Sequence, residues 1–291
     1  MVKRDQAVYS ESSNISAYLR DEFSLKSNTP EIVEISYDLQ AGSYVKSFYQ
    51  NFDRRISYCA EVASYLNDYL TPDSSMVEVG CGEATTMSGV CQKLALAPKE
   101  VGGFDLSFSR IDVALDHWKK QQALASSPSH VPTANLFVAD LFHIPLASKS
   151  VDIIYTSHSI EPNGGRELEA LQSIFRVAKK RVLLFEPYFE AASAEGQQRM
   201  LSHGYVKDIP EAIEKAGGVL HNLVKIENVD NALNPTYLFD IEVSPALPNV
   251  QDNVSRITPS FSWAWADPIT LETLQERDGY YFCSISGLAY P

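Results

Sequence analysis

The 291-residue chain has no long apolar run, no closely spaced cysteine pair and a deficit of basic charge. Its longest uninterrupted apolar stretches are short, such as Val182-Leu183-Leu184-Phe185. A membrane-crossing helix needs about 20 such residues, so no span is expected. Behind the charges of Met1-Val2-Lys3-Arg4-Asp5-Gln6 there is no apolar segment of the kind a secretory leader carries, which points to a cytoplasmic protein. Lys and Arg total 24 against 37 Asp and Glu, a formal net charge of −13. Such a surface repels phosphate and argues against a general binder of nucleic acid or anionic membrane. The clearest basic run is Lys179-Lys180-Arg181. Cys59, Cys81, Cys91 and Cys283 form no Cys-x-x-Cys pair, so neither a disulfide framework nor a zinc site is expected, only free thiols.

What is present is enough for a core: 45% of residues are hydrophobic and 11% aromatic. Residues 1–30 are polar and read as an arm with one helix at most. From Glu31 to Leu70 the pattern is helical, with Ile56, Cys59, Val62, Ala63, Leu66 and Leu70 making one apolar stripe. After Thr71-Pro72-Asp73 the period changes. Short apolar strands at 76–80, 101–105, 134–138, 151–156 and 181–186 alternate with helices at 85–96, 109–125 and 167–178. A helix at 210–216 and strands at 218–227 and 237–243 follow, the last two expected as an antiparallel edge hairpin. This alternation predicts an α/β fold, a doubly wound sheet of seven strands with the last antiparallel. Residues 1–70 would be an arm and helical cover, 71–245 the main domain, and 246–291, broken by prolines, an irregular tail.

The first strand runs into Glu78-Val79-Gly80-Cys81-Gly82-Glu83-Ala84 and then a helix. Glycines there permit a sharp turn and close approach of a ligand to backbone, and the helix start offers free N–H groups. The second strand ends in Asp105, the third in Ala139-Asp140-Leu141, and the fourth runs into Ser157-His158-Ser159-Ile160-Glu161. Taken in order with Phe104-Asp105-Leu106-Ser107, Ile144-Pro145-Leu146 and Leu184-Phe185-Glu186-Pro187, this series resembles the class I S-adenosylmethionine-dependent methyltransferases over about residues 31–243. Ala84 stands where that family often has a third glycine.

The resemblance implies S-adenosyl-L-methionine as cofactor and a Rossmann-like sheet. It implies that Asp105 accepts the ribose hydroxyls, Asp140 the adenine amine and the Leu141 N–H a ring nitrogen. Backbone around Glu78, Gly80, Cys81 and Gly82, the carbonyl of Ser157, and Leu106 would hold the rest. Tyr37 and Tyr44, in Tyr37-Asp38-Leu39-Gln40-Ala41-Gly42-Ser43-Tyr44, resemble a segment folded over the cofactor and would flank the sulfonium. Each has a plainer use as well: Asp105 suits a helix cap, Asp140 a turn, and the two tyrosines a core. Cys81 suits a small filler between glycines.

His158 follows the fourth strand, on the edge where open α/β sheets bind ligands, and its titration range suits a general base. Glu161 would orient the acceptor or a water. The histidines at 117, 130, 143, 203 and 221 read as surface or satisfied residues. The expected function is methyl transfer to oxygen or nitrogen of a small-molecule or sugar-like acceptor, with no nucleic-acid or membrane partner and a homodimer allowed. A nicotinamide-dependent oxidoreductase and a non-catalytic S-adenosylmethionine-binding module share the fold; the first would need a fuller glycine turn. The segment from Asp278 to Pro291 is weakly similar to small zinc ribbons. Its one thiol, Cys283, faces Ser286 where a ribbon has a second cysteine, which predicts a metal-free hairpin.

Overall fold

A computed structural model describes residues 14–125, 131–229, 231–243, 264–267, 269–277, 280–286 and 288–290. Among the described residues four helices lead: α1 (Ile15–Glu22), α2 (Pro30–Asp38), α3 (Ser43–Gln50) and α4 (Phe52–Asn67). The main unit then runs β1 (Ser75–Val79), α5 (Thr85–Cys91), β2 (Glu100–Asp105), α6 (Phe108–Leu124), β3 (Ala134–Val138) and β4 (Val151–Ser157). It continues through α7 (Glu167–Val177), β5 (Ala178–Pro187), α8 (Ala194–His203), α9 (Ile209–Lys215), β6 (Gly218–Lys225) and β7 (Thr236–Val243). Three short strands close the chain: β8 (Gln275–Arg277), β9 (Tyr280–Phe282) and β10 (Ala289–Tyr290).

Seven strands form one sheet in the order β3-β2-β1-β4-β5-β7-β6. β1 pairs in parallel with both β2 and β4, whereas β7 runs antiparallel to β5 and β6. β1 and β2 are buried along their whole length, as central parallel strands covered on both faces must be. Their alternation feeds two cores. Val77 and Val79 pack on one face with Leu171, Ile174 and Ile213 from α7 and α9. Met76 packs on the other with Val62, Leu66, Met87 and Trp118 from α4, α5 and α6. The sheet order reverses between β1 and β4, and the crevice at their carboxyl ends is where such folds take ligands.

Three elements differ from the expected pattern. The helix after β1 ends at Cys91, because the N–H groups of Lys93 and Leu94 turn back to Val90 O. α8 was not expected; its signals are caps rather than an apolar stripe, with Ser193 accepting from Gly196 N and Gly204 left-handed at the end. The antiparallel hairpin of β6 and β7 forms at the sheet edge as expected, with β7 beside β5 and β6 outermost. The tail is a three-stranded antiparallel sheet rather than a hairpin. It docks through Ala147 N–H to Ala264 O at 2.6 Å and Ala266 N–H to Pro145 O at 3.0 Å, with the Trp265 ring edge-on to Phe137. Cys283 is buried there, its sulfur meeting Ser286 N–H and the Thr270 hydroxyl.

Candidate active site

The turn after β1 is left-handed at Gly80, Gly82 and Ala84, with φ of 66°, 55° and 54°. Glycine suits φ at the first two, and at Gly80 it is needed for space as well. A Cβ on Gly80 would collide with Ser159, and one on Gly82 with the Arg110 guanidinium. The turn, the ends of β2, β3 and β4, and the helical cover enclose a cleft at the β1/β4 switch point. Its lining includes Tyr37, Tyr44, Glu78, Gly80, Cys81, Asp105, Leu106, Asp140, Leu141, Ser157, His158 and Glu161, twelve of the residues singled out from sequence. Gly82 sits behind them, donating its N–H to Asp105 Oδ2 at 2.9 Å.

Asp105 also accepts from Ser107 N–H at Oδ1, so both oxygens hold backbone and each keeps a further lone pair for a ligand hydroxyl. The cap of α6 is Ser107, not Asp105. Asp140 does cap the turn that follows it: Oδ1 accepts from Phe142 N–H and Oδ2 lies 3.1 Å from His143 Nδ1. Cys81 is a buried filler against Gly103, and burial holds its thiol protonated far above the ordinary range. The four cysteines are free and buried. His117, His143, His203 and His221 are partnered by Ser88, Asp140, Asn14 and Glu242; His130 lies outside the described residues.

His158 is itself left-handed, φ 55°, a conformation that costs a non-glycine residue about 1–2 kcal/mol. Its surroundings fix it. Its N–H donates to Phe185 O, while the next two N–H groups, of Ser159 and Ile160, donate to Glu186 Oε1. Nδ1 meets Glu161 Oε2 at 3.0 Å and Nε2 meets Thr236 Oγ1 at 2.8 Å. A carboxylate only accepts, so the proton sits on Nδ1 and Nε2 is the basic nitrogen, receiving the Thr236 hydroxyl. Burial alone would lower the imidazole pKa; the bond to Glu161 and its charge outweigh that, and the net shift is upward.

Two further carboxylates lie beneath the site. Burial pushes Glu78 up to about 8 although the Tyr155 hydroxyl donates to it at 2.9 Å. Burial likewise raises Glu186 to about 7, against the opposing pull of His158.

Glu83, Asp38, Arg110, Thr236 and Glu186 were not assigned roles from sequence. Glu83 accepts from the N–H groups of Gly42 (2.9 Å), Tyr44 (3.4 Å) and Val45 (2.6 Å), capping α3 with a carboxylate from the glycine turn. Asp38 accepts from the Ser107 hydroxyl. The cover is thus bolted to both sides of the cleft. An acidic residue inside a glycine turn was the available signal for Glu83; nothing local pairs it with Gly42. A second cleft adjoins the first, sharing Tyr44, Ser157, His158 and Glu161 and reaching Arg55, Tyr58 and Asn234.

Residues 77–185 match the family model described as a methyltransferase domain. No curated protein matches the sequence. Among solved structures, magnesium protoporphyrin IX methyltransferase from Synechocystis PCC 6803, with bound SAH, superposes with a TM-score of 0.53. It is 14% identical, and the match covers 72% of this chain and 99% of that one. A chain from the Haloferax volcanii complex of the Trm112 methyltransferase activator superposes with a TM-score of 0.52 at 16% identity, over 70% of this chain and 95% of that one. At such identities the structures speak for the fold. The matched stretch, from β1 to β5, is a methyltransferase domain, and the fold agrees with it. Among the described residues no helix is long and apolar enough to cross a membrane.

Proposed function

We propose that the protein methylates an oxygen or nitrogen of a small polar acceptor, with His158 as the general base. The observation that carries this is the His158–Glu161–Thr236 chain, placed where the two clefts meet. S-adenosylmethionine supplies a methyl group on a sulfonium, whose departure leaves a neutral thioether. The residues present suit it: the left-handed turn at Gly80, where a Cβ would fill the space, and the spare lone pairs on Asp105 face one cleft. In this reading Asp105 grips the ribose, Asp140 and the Leu141 N–H the adenine, and the Gly80 turn with the Ser157 carbonyl the methionine end. Glu78, Cys81, Gly82 and Leu106 shape the walls. Tyr37 and Tyr44 exclude water from above.

The second cleft would hold the acceptor. The acceptor would displace the Thr236 hydroxyl from His158 Nε2 and give that nitrogen its proton, while Glu161, through Nδ1, keeps the ring in the right tautomer; alignment supplies much of the remaining rate. Residues 1–70 serve as cover, 71–245 as the catalytic domain and 246–291 as an accessory module. Calorimetry tests the cofactor half. Wild type should bind S-adenosylmethionine and S-adenosylhomocysteine but not NAD, and Asp105→Ala should lose about 10- to 100-fold, from charge-assisted bonds of about 1.5–3 kcal/mol. Unchanged affinity in that variant rejects the assignment. A screen of metabolite extracts with labelled cofactor identifies the acceptor.

A further inference from the structure

One side chain in the cleft has no part in that chemistry. Arg110 lies in the first turn of α6, its N–H fixed by the Ser107 hydroxyl. Helical side chains lean toward the N-terminus of their helix, which carries this one back over the end of β2 and into the cleft. It is 6% exposed, and its Nε has no hydrogen-bond partner. The guanidinium carbon sits 4.3 Å from the Tyr44 ring centroid and 4.9 Å from that of Tyr37. The missing side chain of Gly82 makes its room.

A buried cation is costly unless something compensates it, and here the compensation is two aromatic faces with Asp105 and Glu83 nearby. The two tyrosines expected to flank a ligand's cation therefore already flank the protein's own.

We propose that Arg110 sets the charge preference of this cleft: its guanidinium and a ligand sulfonium compete for the Tyr37–Tyr44 cage. This rests on the cofactor reading proposed above. Two like charges between the same two rings repel, and Arg110 is itself buried there, so a cationic methyl donor enters only as Arg110 swings out. The demethylated product has a neutral sulfur and leaves the guanidinium where it is. Arg110 thus weakens the donor relative to the product.

Calorimetry on the full chain reads this directly as the ratio of affinities for S-adenosylmethionine and S-adenosylhomocysteine. Arg110→Met should shift that ratio at least 10-fold toward S-adenosylmethionine, while Arg110→Lys, which keeps the charge, should leave it near the wild-type value. A ratio unchanged in Arg110→Met overturns the proposal, whatever the separate affinities do. A second arm uses no adenosyl ligand. Arg110→Ala vacates the cage, and methylguanidinium followed by tyrosine difference absorbance should bind that variant and not wild type. If it binds neither, the cage is no cation site and the proposal fails. If it binds the variant while neither adenosyl compound binds any form, the cofactor reading fails and the cation cage stands.

Discussion

The Glu83 carboxylate accepts the backbone N–H of Val45 at 2.6 Å, so the glycine turn after β1 caps a helix of the cover. One side chain thereby ties the glycine turn to the helical cover. Glu83 is 1% exposed and serves three N–H groups at the start of α3, where the helix dipole also favours a negative charge.

Replacing Glu83 by Ala leaves those donors without their acceptor. We expect a loss of about 1.5–3 kcal/mol, the usual worth of a hydrogen bond to a charged group. Amide exchange of Gly42, Tyr44 and Val45 should quicken while that of β1 stays slow. Equal exchange in both proteins would mean that packing, not the cap, holds the cover.

Stability should fall as pH rises through neutrality. Glu78 and Glu186 titrate near 8 and 7 in the folded protein, above their ordinary value of 4.5. The folded state therefore holds protons that the unfolded chain has released. Their stabilising contribution is complete below about 4.5 and drains away up to about 7 for Glu186 and 8 for Glu78. The slope is on the order of 1.4 kcal/mol per pH unit for each group. Urea midpoints at pH 5.5 and 8.5 measure it, and Glu78→Gln should flatten the fall.

Activity should follow the opposite rule at His158. Its pKa is raised by Glu161, and a base must be unprotonated to act, so the acid limb of kcat/KM should lie above the free imidazole value of about 6.5. Glu161→Gln removes the charge and should move that limb to lower pH. His158→Gln should cut turnover roughly 100-fold with cofactor affinity nearly unchanged. Full turnover in His158→Gln would make the imidazole a wall residue.

The tail offers a separate test. Trp265 packs edge-on against Phe137 at 4.8 Å between ring centroids, and the chain on either side of it pairs with Pro145 and Ala147. Trp265→Ala should remove about 1 kcal/mol from that aromatic contact and speed exchange of the Ala147 and Ala266 amides. Unaltered exchange would assign the docking to the backbone bridge alone.

The sequence by itself determined the alternation of strands and helices, the glycine turn, and the acidic residues that end β2 and β3. These are matters of local period and turn chemistry: a buried strand beside a 3.6-residue stripe is written in consecutive residues. It also carried His158 and Glu161, whose i, i+3 spacing lets one short loop bring them together. Long-range pairing decided the rest. Thr236 reaches His158 across 78 positions only because β7 inserts between β5 and β6. Glu83 finds Val45, and Arg110 finds Tyr37 and Tyr44, only once the cover folds over the sheet edge. A buried polar group takes whatever partner the fold brings to it, and that partner is set by how strands and helices pack rather than by its neighbours in the chain.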